Sequence, residues 1–151
     1  MLKLGVLEIE SLIVLPDAVA TEAIGKELAA MVKAPYVIFL QGELGAGKTT
    51  LVRGFLRGLG YQDSVKSPTF TLVEPYQFET CMVYHFDLYR LNVPEELELM
   101  GIRDYFTDDA IVLVEWPERG LGFLPKADFI LELNLVPEGR SLKINKRDKS
   151  K

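Results

Sequence analysis

The sequence predicts an α/β fold whose central mixed sheet, flanked by helices, ends in a C-terminal β-hairpin. Three observations carry that expectation. Two unbroken apolar runs, Tyr36-Val37-Ile38-Phe39-Leu40 and Ala110-Ile111-Val112-Leu113-Val114, suit strands buried on both faces, as at the centre of a parallel sheet. The first run leads directly into Gly42-Glu43-Leu44-Gly45-Ala46-Gly47-Lys48-Thr49, a complete G-x-x-x-x-G-K-[ST] phosphate-binding loop. Near the end, Leu131, Leu133 and Leu135 alternate with Glu132 and Asn134, Pro137-Glu138-Gly139 turns the chain, and Leu142 and Ile144 alternate with Ser141 and Lys143.

The elements follow in order. Val6, Leu7, Ile9 and Leu12 to Leu15 suit one or two short strands. Pro16-Asp17 opens a helix whose apolar face reads Ala20, Ala23, Ile24, Leu28, Met31 and Val32. Strand 36–41 and the loop lead into helix 48–59, with Leu51, Val52, Phe55, Leu56 and Leu59 at helical spacing and Gly58 and Gly60 as stop signals. Residues 69–78 and 82–90 read as two strands joined near Glu79-Thr80. Pro94 starts an acidic helix through about Met100, ended by Gly101. No repeat or linker interrupts the chain, so residues 1–145 are expected to form one P-loop NTPase-like domain, followed by a basic, mobile tail over 146–151.

Composition narrows the function. Seventeen Lys and Arg against 22 Asp and Glu give a net charge of −5 over 151 residues, a poor balance for a stand-alone nucleic-acid binder. No apolar run approaches the roughly 20 residues that span a bilayer, and Glu8 and Glu10 break any secretory signal pattern. Cys81, the single cysteine, has no internal disulfide partner, and no Cys/His cluster suits zinc. A cytoplasmic location without a membrane is the expectation. Lys143, Lys146, Arg147, Lys149 and Lys151 crowd the tail, either as solvated charge or as a contact for RNA or an acidic partner.

The loop's residues have separate jobs. Gly42, Gly45 and Gly47 let successive N–H groups turn toward one anion. Lys48 carries charge to the β- and γ-phosphates, the Thr49 hydroxyl suits Mg²⁺, and the following helix aims its positive end at the same phosphates. In open α/β sheets ligands sit beyond the carboxyl ends of strands, which directs attention to Glu115, directly after the second apolar run. It is either a metal- or water-associated acid or a strand-end glutamate facing solvent. In His85-Phe86-Asp87-Leu88-Tyr89-Arg90, alternation puts His85, Asp87 and Tyr89 on one face. Asp87 suits metal or water and Arg90 a phosphate or an acid; an edge strand with a wet face is the equal alternative. Ser67-Pro68-Thr69-Phe70 reads as a strand-starting turn or a segment that senses the γ-phosphate. Asn145-Lys146-Arg147-Asp148 matches the guanine-reading N-K-x-D pattern but lies at the chain end, and no D-x-x-G segment accompanies it, so a GTPase is rejected. No residue stands out as an arginine finger in cis.

Taken together, Gly42 through Thr49 with Thr50, then Ser67-Pro68-Thr69-Phe70, then His85 through Arg90, then Val114-Glu115-Trp116-Pro117-Glu118, resemble the TsaE family, formerly YjeE. Thr21 in the first helix and Arg140 in the last hairpin fit the same resemblance, which covers nearly the whole chain. It implies a small bacterial P-loop ATPase needed for threonylcarbamoyladenosine in tRNA. It further implies work with TsaB and TsaD, contact with tRNA only through that complex, and slow hydrolysis of ATP alone. On this resemblance Lys48 grips phosphates, Thr49 and Glu115 attend Mg²⁺, and Asp87 is the acid near metal or water. Thr69 belongs to a switch-like segment, Trp116 lies against the site, and Thr21 approaches the adenine. The rivals are a small-molecule kinase and a non-catalytic ATP-sensing module.

Overall fold

The computed structural model describes residues 12–68 and 71–146. Any strand in residues 2–11, and the tail from 147 onward, lie outside them. Among the described residues, seven strands form one sheet: β1 Leu12–Leu15, β2 Tyr36–Gln41, β3 Val73–Gln77, β4 Met82–Asp87, β5 Ala110–Glu115, β6 Phe129–Val136 and β7 Gly139–Lys146. Helices α1 (Ala18–Met31), α2 (Lys48–Gly58) and the short α3 (Glu96–Leu99) join them, with 3₁₀ turns at Ile102–Tyr105 and Pro117–Gly120.

The sheet runs β1-β7-β6-β2-β5-β4-β3. The two apolar runs are neighbours at its centre and parallel, Tyr36 opposite Ile111 and Leu40 opposite Glu115. β6 and β4 flank them in the same direction. β7 and β3 are antiparallel additions, and β1 pairs with β7. Five strands therefore point their carboxyl ends to one rim of the sheet.

Both faces are covered where the apolar runs lie. α1 and α2 pack over Ile38, Leu40, Ile111, Leu113, Leu131 and Leu133. The opposite face buries Phe86, Val112 and Val114 under Leu97, Ile102 and neighbouring aromatic rings. Every residue of β5 is buried, which explains its unbroken apolar pattern.

α1 starts as its sequence indicates: the Asp17 side chain caps it, accepting from the Ala20 N–H at 2.9 Å. Its inward face differs from the expectation. Met31 is 41 % exposed, while Thr21, Gly25 and Ala29 turn inward with Ile24 and Leu28. The cause is close packing on α2. A Cβ at Gly25 would collide with the Leu51 carbonyl oxygen, and one at Gly54 with that of Glu22. Backbone meets backbone there, so the pattern of large apolar residues misjudges the buried face.

Other boundaries shift as well. The predicted strand 69–78 shortens to β3, since Leu72 takes a positive φ of 69° and donates its N–H to Pro68 at 2.8 Å. The strand predicted over 82–90 stops at Asp87. There the Asp87 side chain accepts the Tyr89 N–H at 3.0 Å and turns the chain. Tyr89 thus leaves the strand face on which alternation placed it. The acidic helix contracts to α3, closed by Gly101 at φ 76°. Among the described residues no helix is long and apolar enough to cross a membrane.

Candidate nucleotide-binding site

The loop between β2 and α2 sits at the rim where the parallel strands end. Gly42, Gly45 and Gly47 all hold positive φ, at 147°, 80° and 102°. Gly47 is the left-handed residue from which α2 springs, and nothing lies within 4 Å of a Cβ built on Gly45. The loop is thus wound into a turn open on one side, facing a cavity of about 430 Å³. Leu44, Gly45, Ala46, Gly47, Lys48, Thr49 and Thr50 line that cavity from the loop and the first turn of α2. Gly42 and Glu43 stay beneath it. A Cβ on Gly42 would strike the Leu133 carbonyl, and the Glu43 carbonyl accepts the Ala46 N–H at 3.2 Å.

Across the cavity stand Asp87 and Glu115, paired in register at the ends of β4 and β5. Alternation along β5 aims Ile111, Leu113 and Glu115 at the helix face, so Glu115 meets the start of α2. Its Oε2 accepts the Thr49 hydroxyl at 3.0 Å and lies 2.6 Å from Nε2 of His85. Glu115 is 3 % exposed, so it is not the solvent-facing strand end that the sequence alone left open. Burial, and then the negative charge of Glu115, push the Asp87 carboxyl above its usual range.

Lys48 is buried, and desolvation lowers its pKa against the opposing pull of Glu115 and Asp87. Its Nζ donates to the Gly42 carbonyl and, at 3.4 Å, to that of Glu43. The ammonium lies 3.8 Å from the centre of the Trp116 ring. Trp116 itself sits at φ 56°, ψ 50°, a left-handed conformation that costs about 1–2 kcal/mol for a residue with a side chain. That backbone bends sharply after Glu115 and lays the indole over the lysine, with the Tyr89 ring 5.0 Å away.

Other predicted residues are placed less centrally. Thr21 is buried, donates its hydroxyl to the Asp17 carbonyl at 3.3 Å, and lines a smaller adjoining cavity of about 130 Å³. Ser67 lines the main cavity; Thr69 lies outside the described residues. Arg90 and Arg140 line it too, and Arg140 also borders the smaller one. Sequence reading gave Arg140 no role of its own. β6 and β7 overhang the sheet beyond Gln41, and this carries Arg140 to the rim opposite Leu135. The same antiparallel run takes Asn145 to the far end of the sheet, opposite Ile130, so the N-K-x-D segment begins away from the cavity.

The donor chemistry suits a nucleotide carrying a divalent cation. Among the described residues no three His, Cys, Asp or Glu side chains form a metal cage. One hydroxyl and two carboxylates beside an anion-binding loop instead match Mg²⁺, which keeps waters and takes phosphate oxygens as ligands.

A mixed sheet with a strand–loop–helix phosphate cradle and acids on the adjacent strand ends defines a P-loop-type nucleotide-binding protein. A profile of the family described as "Threonylcarbamoyl adenosine biosynthesis protein TsaE" matches residues 15–144. A protein of Haemophilus influenzae named "tRNA threonylcarbamoyladenosine biosynthesis protein TsaE" is 48 % identical over 135 residues, covering 86 % of this chain and 85 % of that one. One of the same name from Aquifex aeolicus is 35 % identical over 130 residues, covering 85 % and 90 %. The crystal structure of YdiB from Bacillus subtilis superposes with a TM-score of 0.76 at 29 % identity, covering 94 % of this chain and 87 % of that chain. The chain belongs to the TsaE family.

Proposed function

We propose that this chain is an Mg²⁺-dependent ATPase subunit that supports threonylcarbamoyladenosine formation in tRNA together with TsaB and TsaD, in the cytoplasm. The observation that carries the reading is the meeting of Thr49 and Glu115 at 3.0 Å on the floor of the loop cavity, with Asp87 in register beside them. A hydroxyl at the start of the loop helix and an acid on the adjacent strand are the pair expected to serve Mg²⁺ in a P-loop hydrolase. The names borne by the relatives supply the tRNA pathway.

Phosphoryl transfer asks the protein mainly for positioning and charge. The N–H groups of the loop gather the phosphates, and Lys48 exchanges the Gly42 carbonyl for phosphate oxygens. Thr49 and Glu115 would hold the cation, and Asp87 would orient water or assist in holding it. The chemistry Mg²⁺ would supply there is electrostatic, offsetting the negative charge of the phosphates. Thr21 and the smaller cavity take the adenine side of the nucleotide.

The test is ATP hydrolysis by the chain alone and with TsaB–TsaD, using Lys48→Ala as the blank. Slow turnover that the complex stimulates supports the reading. ATP binding with no stimulation would put the sensor and kinase rivals ahead. Full biological activity of a hydrolysis-dead Glu115→Gln variant would single out the sensor.

A further inference from the structure

Behind the acid on which the proposed function relies stands a buried histidine. His85 is 0 % exposed and sits on β4, on the face that α1 and α2 cover. The parallel register sets His85 opposite Leu113 and Asp87 opposite Glu115. His85 and Glu115 are therefore diagonal neighbours, a spacing that long side chains bridge. Nε2 and Oε2 lie 2.6 Å apart. A carboxylate oxygen only accepts, so Nε2 is the donor.

Two details set this apart from core packing. Nδ1 is buried and has no hydrogen-bond partner among the described residues. A residue kept only for volume would be better apolar, because the ring gives up hydration at Nδ1 without replacement. Its single hydrogen bond falls on the same oxygen that accepts the Thr49 hydroxyl. Two donors from two different elements thus clamp one oxygen of a side chain that would otherwise turn about three bonds.

We propose that His85 is a positioning residue: its Nε2–H fixes the Glu115 carboxylate against Thr49, so the pair offers a preset oxygen site to the cation that accompanies the nucleotide. This rests on the reading of the cavity as an Mg²⁺–nucleotide site. Partners that orient metal-binding carboxylates typically change metal affinity or activity by about 10–100-fold when removed.

His85→Leu keeps the bulk and removes the donor, whereas His85→Gln retains an N–H near the position of Nε2. ATP affinity is read from Trp116 fluorescence, first in EDTA and then with Mg²⁺, beside melting temperature and turnover. The leucine variant is expected to bind ATP in EDTA like the parent but to lose about 10–100-fold of the Mg²⁺-dependent gain, with kcat falling more than KM rises. Glutamine is expected to restore most of it. An undiminished gain in the leucine variant, or equal loss in both, overturns the proposal. A parent protein with no Mg²⁺-dependent gain overturns the cavity reading itself, and the proposal with it.

Should the leucine variant fail to fold, NMR of the parent decides. His85 is the only histidine in the sequence, so a ¹⁵N-labelled ring gives one set of signals. A protonated, slowly exchanging Nε2 that loses its protection in Glu115→Ala supports the clamp. An Nδ1–H tautomer overturns it.

Discussion

β4 and β5 serve two different interiors at once. On the face turned from α1 and α2, Phe86, Val112 and Val114 are buried among apolar and aromatic residues, with Tyr105 edge-on to Phe86 at 5.1 Å. On the other face the same strands end in His85, Asp87 and Glu115, all buried and all polar. One step along a strand separates a residue that holds the fold from one placed to act on a ligand. The lesson concerns cost: the apolar face stabilises by burial, while the polar rim spends part of that stability on charged groups kept out of water.

Neighbouring substitutions should split accordingly. Phe86→Ala is expected to cost about 3–5 kcal/mol, read from denaturant unfolding. Asp87→Asn should do the opposite. Because burial and Glu115 raise the folded-state pKa of Asp87, its ionisation opposes folding once the pH rises above the ordinary carboxylate range. The asparagine variant should melt higher than the parent at neutral pH without Mg²⁺, and the gain should vanish on acidification through that range. A variant that melts lower at neutral pH would erase the contrast between the faces.

Lys48→Ala should lower ATP affinity at least about 100-fold, nearly 3 kcal/mol, by calorimetric titration, while its melting temperature stays close to that of the parent. Unchanged affinity would remove the loop from the site. On β5 the pair is Val114 and Glu115. Val114→Ala should lose about 2 kcal/mol of stability with hydrolysis per folded molecule retained. Glu115→Gln, by weakening the electrostatic hold on the phosphates through the cation, should lose about 100-fold in turnover and little stability. Reversed outcomes would mean the strand is not divided as its side chains suggest. Asp17→Ala, at the start of α1 and on neither face of these strands, sets the small end of the scale. Loss of its cap should cost about 1 kcal/mol, a shift of about 2–4 °C in Tm.

What the sequence revealed follows the same division. Apolar runs at 36–40 and 110–114 were legible as central strands because burial on both faces leaves no polar alternation to mislead. The loop was legible because each position has its own backbone or chemical requirement. Glu115 was legible as an acid at a strand end, but not its bond to His85, which depends on a diagonal register between segments 30 residues apart. Arg140 reached the cavity only because the last hairpin outruns β2, a matter of relative strand length. Met31 left the face expected of it, and Gly25, unread in the sequence, turned inward, for a similar reason: close contact between two helices rewards the absence of a side chain.

That close contact has a mechanical consequence. With backbone against backbone at Gly25 and Gly54, α1 and α2 approach too closely there to shift independently, so a tilt of one drags the other. α2 grows out of the phosphate cradle and α1 out of β1, so the two helices act as a strut bracing the loop against the sheet's outer strand. Anyone inserting a tag or sensor domain should leave that strut whole and open the chain at the Glu79–Thr80 turn instead.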